Sequence, residues 1–591
     1  MRPISLSSSG KLHAASAKAV AHGLTSAHGP EEGHGPPPVR RLLALVRWDS
    51  TELWVAVAYG AGVGLFQLAI PIAVQSLVNT VAFGTLLQPL VVLALLVLAG
   101  LLLAGGMRAL QAHLIEVIAR RLFARVALDL SWRLPRVRAA ALDGAHGPEL
   151  VNRFFDVLTL QKGAAALLLD GLAVALGTAA GLLLLALYHP VLLGFGLVLA
   201  LAMLGVLFGL GRGATATSIE ESKAKYEVAA WLEEVVRHPA TFRSRAGEEL
   251  AAGRALHLIE DYLGARQQHY RVVLRQMVGG FGLQALASAG LLGVGGYLVI
   301  ARQLTLGQLV AAELVVTAAV ASFAKLWKVL ESYYDLLAAV DKLGHLTDLP
   351  VDPRVADARA GAALPAEPRG AALRLCGVGY RFAEGRGGLR GLDIEIHPGE
   401  RVVLLGGHGA GKSLVADLVA GVRLPSEGRI EIDGLDVRDV HLESLREQVL
   451  LVRGAEIFAG TVAENLSLGR ADVGPAEMRT VLEAVGLWEE IAALPEGLGT
   501  MLATGGAPLS VGQARRLVVA RALVLQPRLL VIDDLGTFDT ALRHRVWRAL
   551  TDRHAPWTLV LTAHAGEWIG PVDRVIQLAG APSEAPVRQV L

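Results

Sequence analysis

The sequence predicts a multi-domain chain: an all-α transmembrane domain of six helices, followed by an α/β domain of the P-loop type. Three observations lead to this fold class. Apolar stretches long enough to cross a bilayer recur between residues 53 and 330. After residue 370 short apolar strands alternate with helices, and a complete glycine-rich phosphate-binding motif occupies residues 406–413. At 591 residues the chain is long enough for both domains.

The overall composition argues against an ordinary soluble enzyme and against a nucleic-acid-binding protein. The chain is 53% hydrophobic with a mean hydropathy of +0.47, which is too apolar for an ordinary soluble enzyme. The net charge of +1 provides no general basic surface, so we expect no nucleic-acid partner. Cys376 is the single cysteine, which rules out an intrachain disulfide and a thiolate zinc site.

Residues 1–40 are predicted to be a disordered cytoplasmic tail. They are rich in Ser, His, Gly and Pro and lack the apolar core of a signal peptide. Their histidines are irregularly spaced, which favours a solvated segment over a metal site.

Residues 41–340 are predicted to form the transmembrane domain. The six apolar stretches lie at about 53–81, 88–110, 163–187, 190–210, 275–301 and 305–330. The two long loops, 112–161 and 211–274, are rich in Arg, and Arg40 and Arg41 precede the first span. The positive-inside rule therefore places both termini and both long loops in the cytoplasm. Apolar residues at helical spacing predict that the loops are amphipathic helices that continue the spans.

Glu313 falls inside the sixth predicted span. A carboxylate at membrane depth is costly, so one interpretation is a functional site. The other is a residue near the outer end of the span that faces a wet cavity or pairs with Arg302. Transport by an E313Q variant that matched the wild type would contradict the functional interpretation.

The phosphate-binding motif lies near the start of the second domain, residues 371–591, which follows a Pro-, Ala- and Arg-rich linker at 341–370. The motif stands between a predicted strand and a predicted helix. Its glycines let backbone N–H groups approach phosphates, Lys412 reaches the β- and γ-phosphates of ATP, and the Ser413 hydroxyl ligates Mg²⁺. The motif residues are Gly406, Gly407, His408, Gly409, Ala410, Gly411, Lys412 and Ser413.

A second predicted strand ends in two adjacent carboxylates, in LLVIDDLGTFD (529–539). P-loop proteins hold Mg²⁺ beside the phosphate loop with an Asp at the end of such a strand. Asp533 is therefore the predicted metal-binding carboxylate, and Asp534 follows it.

The segment LSVGQARRLVVARALVLQPRLLVIDD (509–534) resembles the signature helix and Walker B strand of ATP-binding cassette (ABC) proteins. Together with the six spans, the chain resembles a half-size ABC exporter from about residue 45 onward, similar to bacterial type I secretion and peptide exporters. The resemblance implies a homodimer, or a heterodimer with another ABC half-transporter, that sandwiches two ATP molecules. It also implies alternating access in the lipid bilayer of a bacterial inner membrane, with cytoplasmic helices near 140–150 and 222–231 docking on the nucleotide domains.

The same resemblance assigns further site residues. Phe382 stands where a Tyr usually stacks on adenine, and His564 matches the histidine that contacts the γ-phosphate. Asp539 matches an acid that crosses the dimer interface. Of the signature, Ser510, Gly512 and Gln513 remain. A secretion role would imply a periplasmic adaptor protein, whereas export of lipid or drug is the alternative.

Several positions depart from the family pattern in ways that affect the chemistry. Arg453 stands where a Gln normally contacts Mg²⁺ and the attacking water, and Val511 replaces the first glycine of the signature. Asp534 stands where a Glu normally polarises that water. Because the Asp side chain is one methylene shorter, its carboxylate lies further back from the water. We therefore predict an exporter with slow hydrolysis. The alternative is a regulatory half that binds ATP and pairs with a hydrolysing partner chain.

Overall fold

The computed structural model describes residues 39–43, 50–83, 87–143, 151–356, 361–365, 367, 369–382, 388–534, 540–552, 554–564 and 569–578. The side chains of residues 80–89, 319–328, 355–356 and 540 lie outside this description, as do nearly all of the predicted tail and Asp539. The chain divides into two compact units. Unit 1 comprises Met1–Pro135 and Gly144–Leu349, and unit 2 comprises Arg136–Asp143 and Pro350–Leu591.

Unit 1 is helical throughout its described part. Its α-helices are α1 (Ser50–Gln67), α2 (Ala69–Phe83), α3 (Leu87–Arg133), α5 (Asp156–Ala166), α6 (Leu172–Tyr188), α7 (Pro190–Leu204), α8 (Ala214–Arg237), α9 (Pro239–Phe242), α10 (Arg245–Ile300) and α11 (Leu306–Thr347); α4 (Ala139–Leu142) belongs to unit 2. Short π-helical turns, Leu167–Gly171 and Gly205–Gly209, follow α5 and α7. Helix α3 continues from an apolar stretch into the first polar loop, and α10 continues from the second polar loop into an apolar stretch.

Among the residues that the structure describes, five helical stretches are long and apolar enough to cross a membrane: Ser50–Asn79, Leu90–Arg136, Arg153–Tyr188, Pro190–Arg237 and Arg245–Ile300. The sixth predicted span falls on α11, where the described apolar stretch is Leu306–Ala318. Many large apolar side chains of these helices are exposed, for example Leu187 at 75% and Leu201 at 61%. Such outward faces suit a lipid environment, in which apolar surface need not be buried in protein.

The interior of unit 1 has separate apolar clusters. One joins α6, α7, α10 and α11 through residues such as Leu185, Leu192, Leu291 and Ala312. Another joins α3, α5 and the later part of α11, with Leu160 and Leu336 among its fully buried side chains. Residues 222–231, predicted to dock on the nucleotide domain, lie in the middle of α8, and the chain reverses direction around α9. The docking itself remains a prediction.

Unit 2 has an α/β fold. Its strands are β1 (Leu373–Arg381), β2 (Gly388–Ile396), β3 (Arg401–Gly406), β4 (Glu427–Ile432), β5 (Leu435–Asp436), β6 (Val449–Arg453), β7 (Gly460–Thr461), β8 (Met501–Leu502), β9 (Leu529–Asp533), β10 (Thr558–His564) and β11 (Arg574–Gln577). Its other helices are α12 (Pro353–Ala356), α13 (Lys412–Val419), α14 (Leu442–Gln448), α15 (Val462–Ser467), α16 (Pro475–Ala484), α17 (Trp488–Ala492), α18 (Val511–Leu525) and α19 (Thr540–Leu550).

The central sheet of unit 2 has five parallel strands in the order β11-β3-β10-β9-β6. Strands β9 and β10 are almost continuously apolar and buried, as expected for a parallel sheet covered on both faces. An antiparallel sheet, β2-β1-β4-β5, contributes to the same core through residues such as Val378, Leu392 and Ile430. Part of the predicted linker packs on this unit, because Ala362 bridges to Val440 and the Leu364 N–H donates to Ser444 Oγ.

Candidate active site

The predicted site residues are brought together by the register of the parallel sheet. Arg453 at the end of β6 is paired with Asp533 at the end of β9, and Asp533 is paired with Thr562 in β10. In the next pair of strands, Gly406 at the end of β3 faces His564 at the end of β10. Because carboxyl ends of parallel strands share one edge of the sheet, these side chains form one cluster.

The phosphate-binding loop between β3 and α13 is present as predicted. Gly409 and Gly411 have φ values of +78° and +85°, a left-handed conformation that glycine adopts without a side-chain clash. Lys412 is 8% exposed, and its Nζ donates to the carbonyl oxygens of Gly406 and Gly407 at 2.7 and 2.9 Å. In this structure the lysine amine is therefore hydrogen-bonded to the backbone of the loop to which it belongs. Phosphate oxygens would replace these two carbonyl acceptors.

One histidine lies next to that amine, and a second histidine contacts the first. His564 Nδ1 is 3.2 Å from Lys412 Nζ, and the ring centroids of His408 and His564 are 4.4 Å apart. Sequence reasoning included His408 only as a member of the loop. Its contact with the ring of His564 adds a second imidazole at the place predicted for the γ-phosphate.

The carboxylate of Asp533 is buried and has three side-chain donors. Ser413 Oγ and Thr562 Oγ1 donate to Oδ1 at 3.2 and 2.9 Å, and Arg453 Nε donates to Oδ2 at 2.7 Å. Arg453 Nη2 also donates to Asp417 Oδ1 at 2.8 Å and to the Ser413 carbonyl at 3.2 Å. Burial would lower the pKa of Arg453, but the Asp417 and Asp533 carboxylates outweigh that effect and raise it.

This arrangement does not fit Mg²⁺. The ion requires near-octahedral oxygen ligands at about 2.1 Å. Here a guanidinium cation already occupies one oxygen of Asp533, and the other predicted ligand, Ser413, is hydrogen-bonded directly to the same carboxylate. A divalent cation at this position would be repelled by Arg453 and would have to displace it from Asp533.

Asp417 is a residue that sequence reasoning missed. It is 8% exposed on α13 and is shared by two arginines, because Arg423 Nε donates to its Oδ2 at 3.2 Å. The signal was an acid in an otherwise apolar helix, SLVADLVAG, directly after the phosphate loop. Arg423 also binds Asp143 at 2.6 Å, and this hydrogen bond lowers the pKa of the Asp143 carboxyl. Ion pairs therefore run from Asp143 to Asp533.

Asp534, the predicted catalytic acid, is exposed and has a φ of +62°. Its backbone N–H donates to Thr562 Oγ1 at 3.0 Å. Thr562 is thus a second residue that was missed, although it stands two positions before His564 and hence on the same face of its strand. Its hydroxyl thus donates to the Asp533 carboxylate and accepts from the Asp534 backbone N–H at the end of β9.

The signature residues form a separate group at the start of α18. Ser510 caps this helix: its Oγ accepts from the Gln513 N–H, and the Gln513 side chain accepts from the Ser510 N–H. Gln513 Nε2 and Arg516 both donate to the carboxylate of Glu490 in α17. Gly512 follows in the first turn, and Val511 exposes 69% of its surface. Valine therefore creates no clash within this chain.

Phe382 is the first residue after β1, and its side chain packs against the core of unit 2. Its ring meets Tyr380 edge to face at 5.1 Å, and the Arg423 guanidinium lies 5.5 Å from its centroid. In unit 1, Glu313 Oε2 is buried, and neither a hydrogen bond to it nor an ion pair with Arg302 occurs within the described residues.

Two family models match the chain: the ABC transporter transmembrane region over residues 53–321, and the ABC transporter domain over residues 389–535. Among solved structures, a bacterial Atm1-family ABC exporter with ATP bound superposes with a TM-score of 0.77 at 21% identity, covering 91% of this chain and 94% of that one. This similarity confirms the predicted fold class.

Curated relatives match over shorter regions. The ATP-dependent lipid A-core flippase of Chromobacterium violaceum is 38% identical over 32% of this chain and 32% of its own length. The cyclolysin secretion/processing ATP-binding protein CyaB of Bordetella pertussis is 31% identical over 50% of this chain and 41% of its own length. The chain thus spans between about a third and two fifths of these relatives.

Proposed function

The chain belongs to the ABC transporters, with the transmembrane region and the ATP-binding domain of that family, and on this premise we propose that it is an exporter that binds ATP and hydrolyses it slowly. One observation carries the proposal: Lys412, Ser413, Asp533 and His564 meet at one edge of a parallel sheet, beside a phosphate-binding loop. The low rate follows from Asp534 in place of Glu and from Arg453 on Asp533.

The proposed role of each residue follows from its position. Lys412 and the backbone N–H groups of the loop bind phosphate oxygens, and His564 contacts the terminal phosphate. Asp534 accepts the proton of the attacking water. Phe382 stacks on the adenine ring, and a partner chain supplies Ser510, Gly512, Gln513 and Asp539 at the other face of the nucleotide. The resemblance to the family also predicts Mg²⁺ with Ser413 and Asp533 as its ligands, but the contact of Arg453 with Asp533 does not fit that metal site.

The substrate proposal is an amphipathic molecule, either a peptide or protein or a lipid. Support comes from the relatives, one named as a lipid A-core flippase and one as a cyclolysin secretion protein. We propose that the chain dimerises in a bacterial inner membrane with both termini in the cytoplasm. Export of a protein would also require a periplasmic adaptor.

A second candidate function is a regulatory half that closes on ATP and leaves hydrolysis to a partner chain. The contact between Arg453 and Asp533 favours it, because it blocks the metal position of this chain's own site. One observation argues against this second function. In a heterodimer Val511 would contribute to the site of the partner chain and weaken it, so hydrolysis would not be left to an intact second site.

The test is the ATPase rate of the purified full chain in lipid nanodiscs, for wild type, D534E and D534N. We expect a slow wild type and a faster D534E. In D534N we expect loss of the remaining rate, since Asn tolerates the same backbone conformation but cannot accept the proton. K412A provides the background rate. A D534N variant as active as wild type would remove Asp534 as the catalytic base.

A further inference from the structure

We propose that Arg453 is a built-in counter-cation that replaces Mg²⁺ in nucleotide binding, so that this chain binds ATP without a divalent metal. The inference rests on the proposed ATP-binding function and specifies the cation of the same site. It is carried by the contacts of Arg453 with Asp533, Asp417 and the Ser413 carbonyl.

The first step is the fixed position of the guanidinium. Arg453 lies beside Asp533 in the sheet register, so its side chain leaves the neighbouring strand at the same edge. Three acceptors on two further elements, β9 and α13, then hold the planar group: one carboxylate oxygen of Asp533, one of Asp417 and the Ser413 carbonyl. An arginine bound at several points is already ordered, and little conformational entropy is lost when a ligand arrives.

The second step is the charge balance. A buried carboxylate next to phosphate would repel it, and in related sites a metal removes that repulsion. Here Arg453 neutralises Asp533 directly through the contact at 2.7 Å. Asp417 is shared between Arg453 and Arg423, so each of the two buried acids, Asp417 and Asp533, has an arginine partner before any metal is added.

The third step is access for the ligand. The side chain of Arg453 is 40% exposed although its Nε and Nη2 atoms are engaged, so a ligand can reach this residue from solvent. Lys412, at the end of the phosphate loop, supplies the second positive charge. A triphosphate bound at this loop would then have two cations from the chain itself.

The test measures binding of ATP to the full chain in nanodiscs, by competition with a fluorescent ATP analogue, in excess EDTA and in excess Mg²⁺. We expect the wild-type affinities in the two buffers to agree within about threefold. In R453Q the affinity in EDTA should fall by about 10–100-fold, the usual value of a charge-assisted hydrogen bond, and Mg²⁺ should restore most of it. R453K keeps the positive charge but lacks the planar guanidinium with its several N–H donors, so the loss of ATP affinity in EDTA should be intermediate.

R438Q is the matched control. It removes the same charge from a surface pair with Asp436, and its binding should remain like wild type in both buffers. Thermal unfolding of each variant verifies that it is folded. Wild-type binding that is lost in EDTA, or an R453Q variant with the wild-type EDTA affinity, would overturn the inference and leave the proposed function intact. Absence of binding in both buffers would overturn both.

Discussion

Asp534 has a φ of +62°, a conformation that Asp adopts more readily than Glu because its short side chain bonds locally to the backbone. The family's usual Glu would therefore bring the carboxylate one methylene closer to water at some cost in backbone energy. Arg453 and Asp533 compensate each other's charge in the same cluster. At the scale of single residues, the departures from the family pattern are thus mutually adapted.

Thr562 provides the residue-scale prediction. Replacing it with Val removes the hydroxyl that donates to Asp533 and accepts from the Asp534 N–H, and leaves both polar groups without that partner at a position only 2% exposed. We expect a loss of about 1–3 kcal/mol in stability, because a buried group without its partner keeps its desolvation cost. The measurement is thermal unfolding of the full chain.

T562S is the control for that prediction, since it keeps the hydroxyl and should retain most of the stability. A T562V variant that unfolded at the wild-type temperature would show that neither hydrogen bond contributes. In that case, any change in nucleotide binding by T562V would come from a shift in the positions of Asp533 and Asp534 and not from a loss of stability.

At the scale of elements, helices α5, α8 and α11 are joined by a buried polar cluster. Lys342 of α11 is 7% exposed; its Nζ donates to the Ser222 carbonyl at 2.9 Å and lies 3.4 Å from the centroid of the Tyr226 ring. The Tyr226 hydroxyl donates to Asp156 Oδ2 at 2.7 Å. Burial lowers the pKa of Lys342 to about 7; Lys225 and Arg153 act in the same direction, whereas Asp156 and Asp341 oppose it.

A pH dependence follows from this cluster. Between about pH 7 and the ordinary Lys value of 10.5, the folded chain binds fewer protons at Lys342 than the unfolded chain. Stability should therefore rise with pH in this window, by at most about 1.4 kcal/mol per pH unit, the value for one proton. K342M should lack this rise, and Lys223→Met, at an exposed position of α8, should keep it. Thermal unfolding across the window measures it; parallel curves for wild type and K342M would contradict the prediction.

At the scale of the whole molecule, Val511 bears on the dimer that we propose. Its side chain is exposed on its own chain, so V511G should change the stability of the chain little. In a homodimer a glycine would let the signature approach the nucleotide of the other chain more closely, and the ATPase rate should rise. Light scattering gives the oligomeric state, and the rate is compared on the same preparation.

The D534N background controls that experiment, since V511G should produce no rise where hydrolysis is already lost. A chain that stays monomeric when purified alone, with a rate unaffected by V511G, would favour the obligate partner chain. A dimer whose rate falls on V511G would contradict the role assigned to Val511.

The sequence by itself determined both domain types, and it predicted most of the residues of the candidate site. The phosphate loop, Asp533 and His564 stand in motifs of fixed spacing, and long apolar stretches are unambiguous because crossing a bilayer requires length. Five of the six spans meet that criterion in the described residues, and the continuation of the spans as helices was predicted from their periodicity.

Only the tertiary structure decided which groups Arg453 contacts. The sequence showed an arginine where a metal-binding amide was expected, but could not distinguish a disturbed site from a compensated one. That choice depends on Asp417 and Thr562, which lie 36 residues before and 109 after Arg453 in the chain and reach it or its partner only through sheet register and the packing of α13. Contacts between strands distant in sequence are set by the fold, and no local pattern contains them.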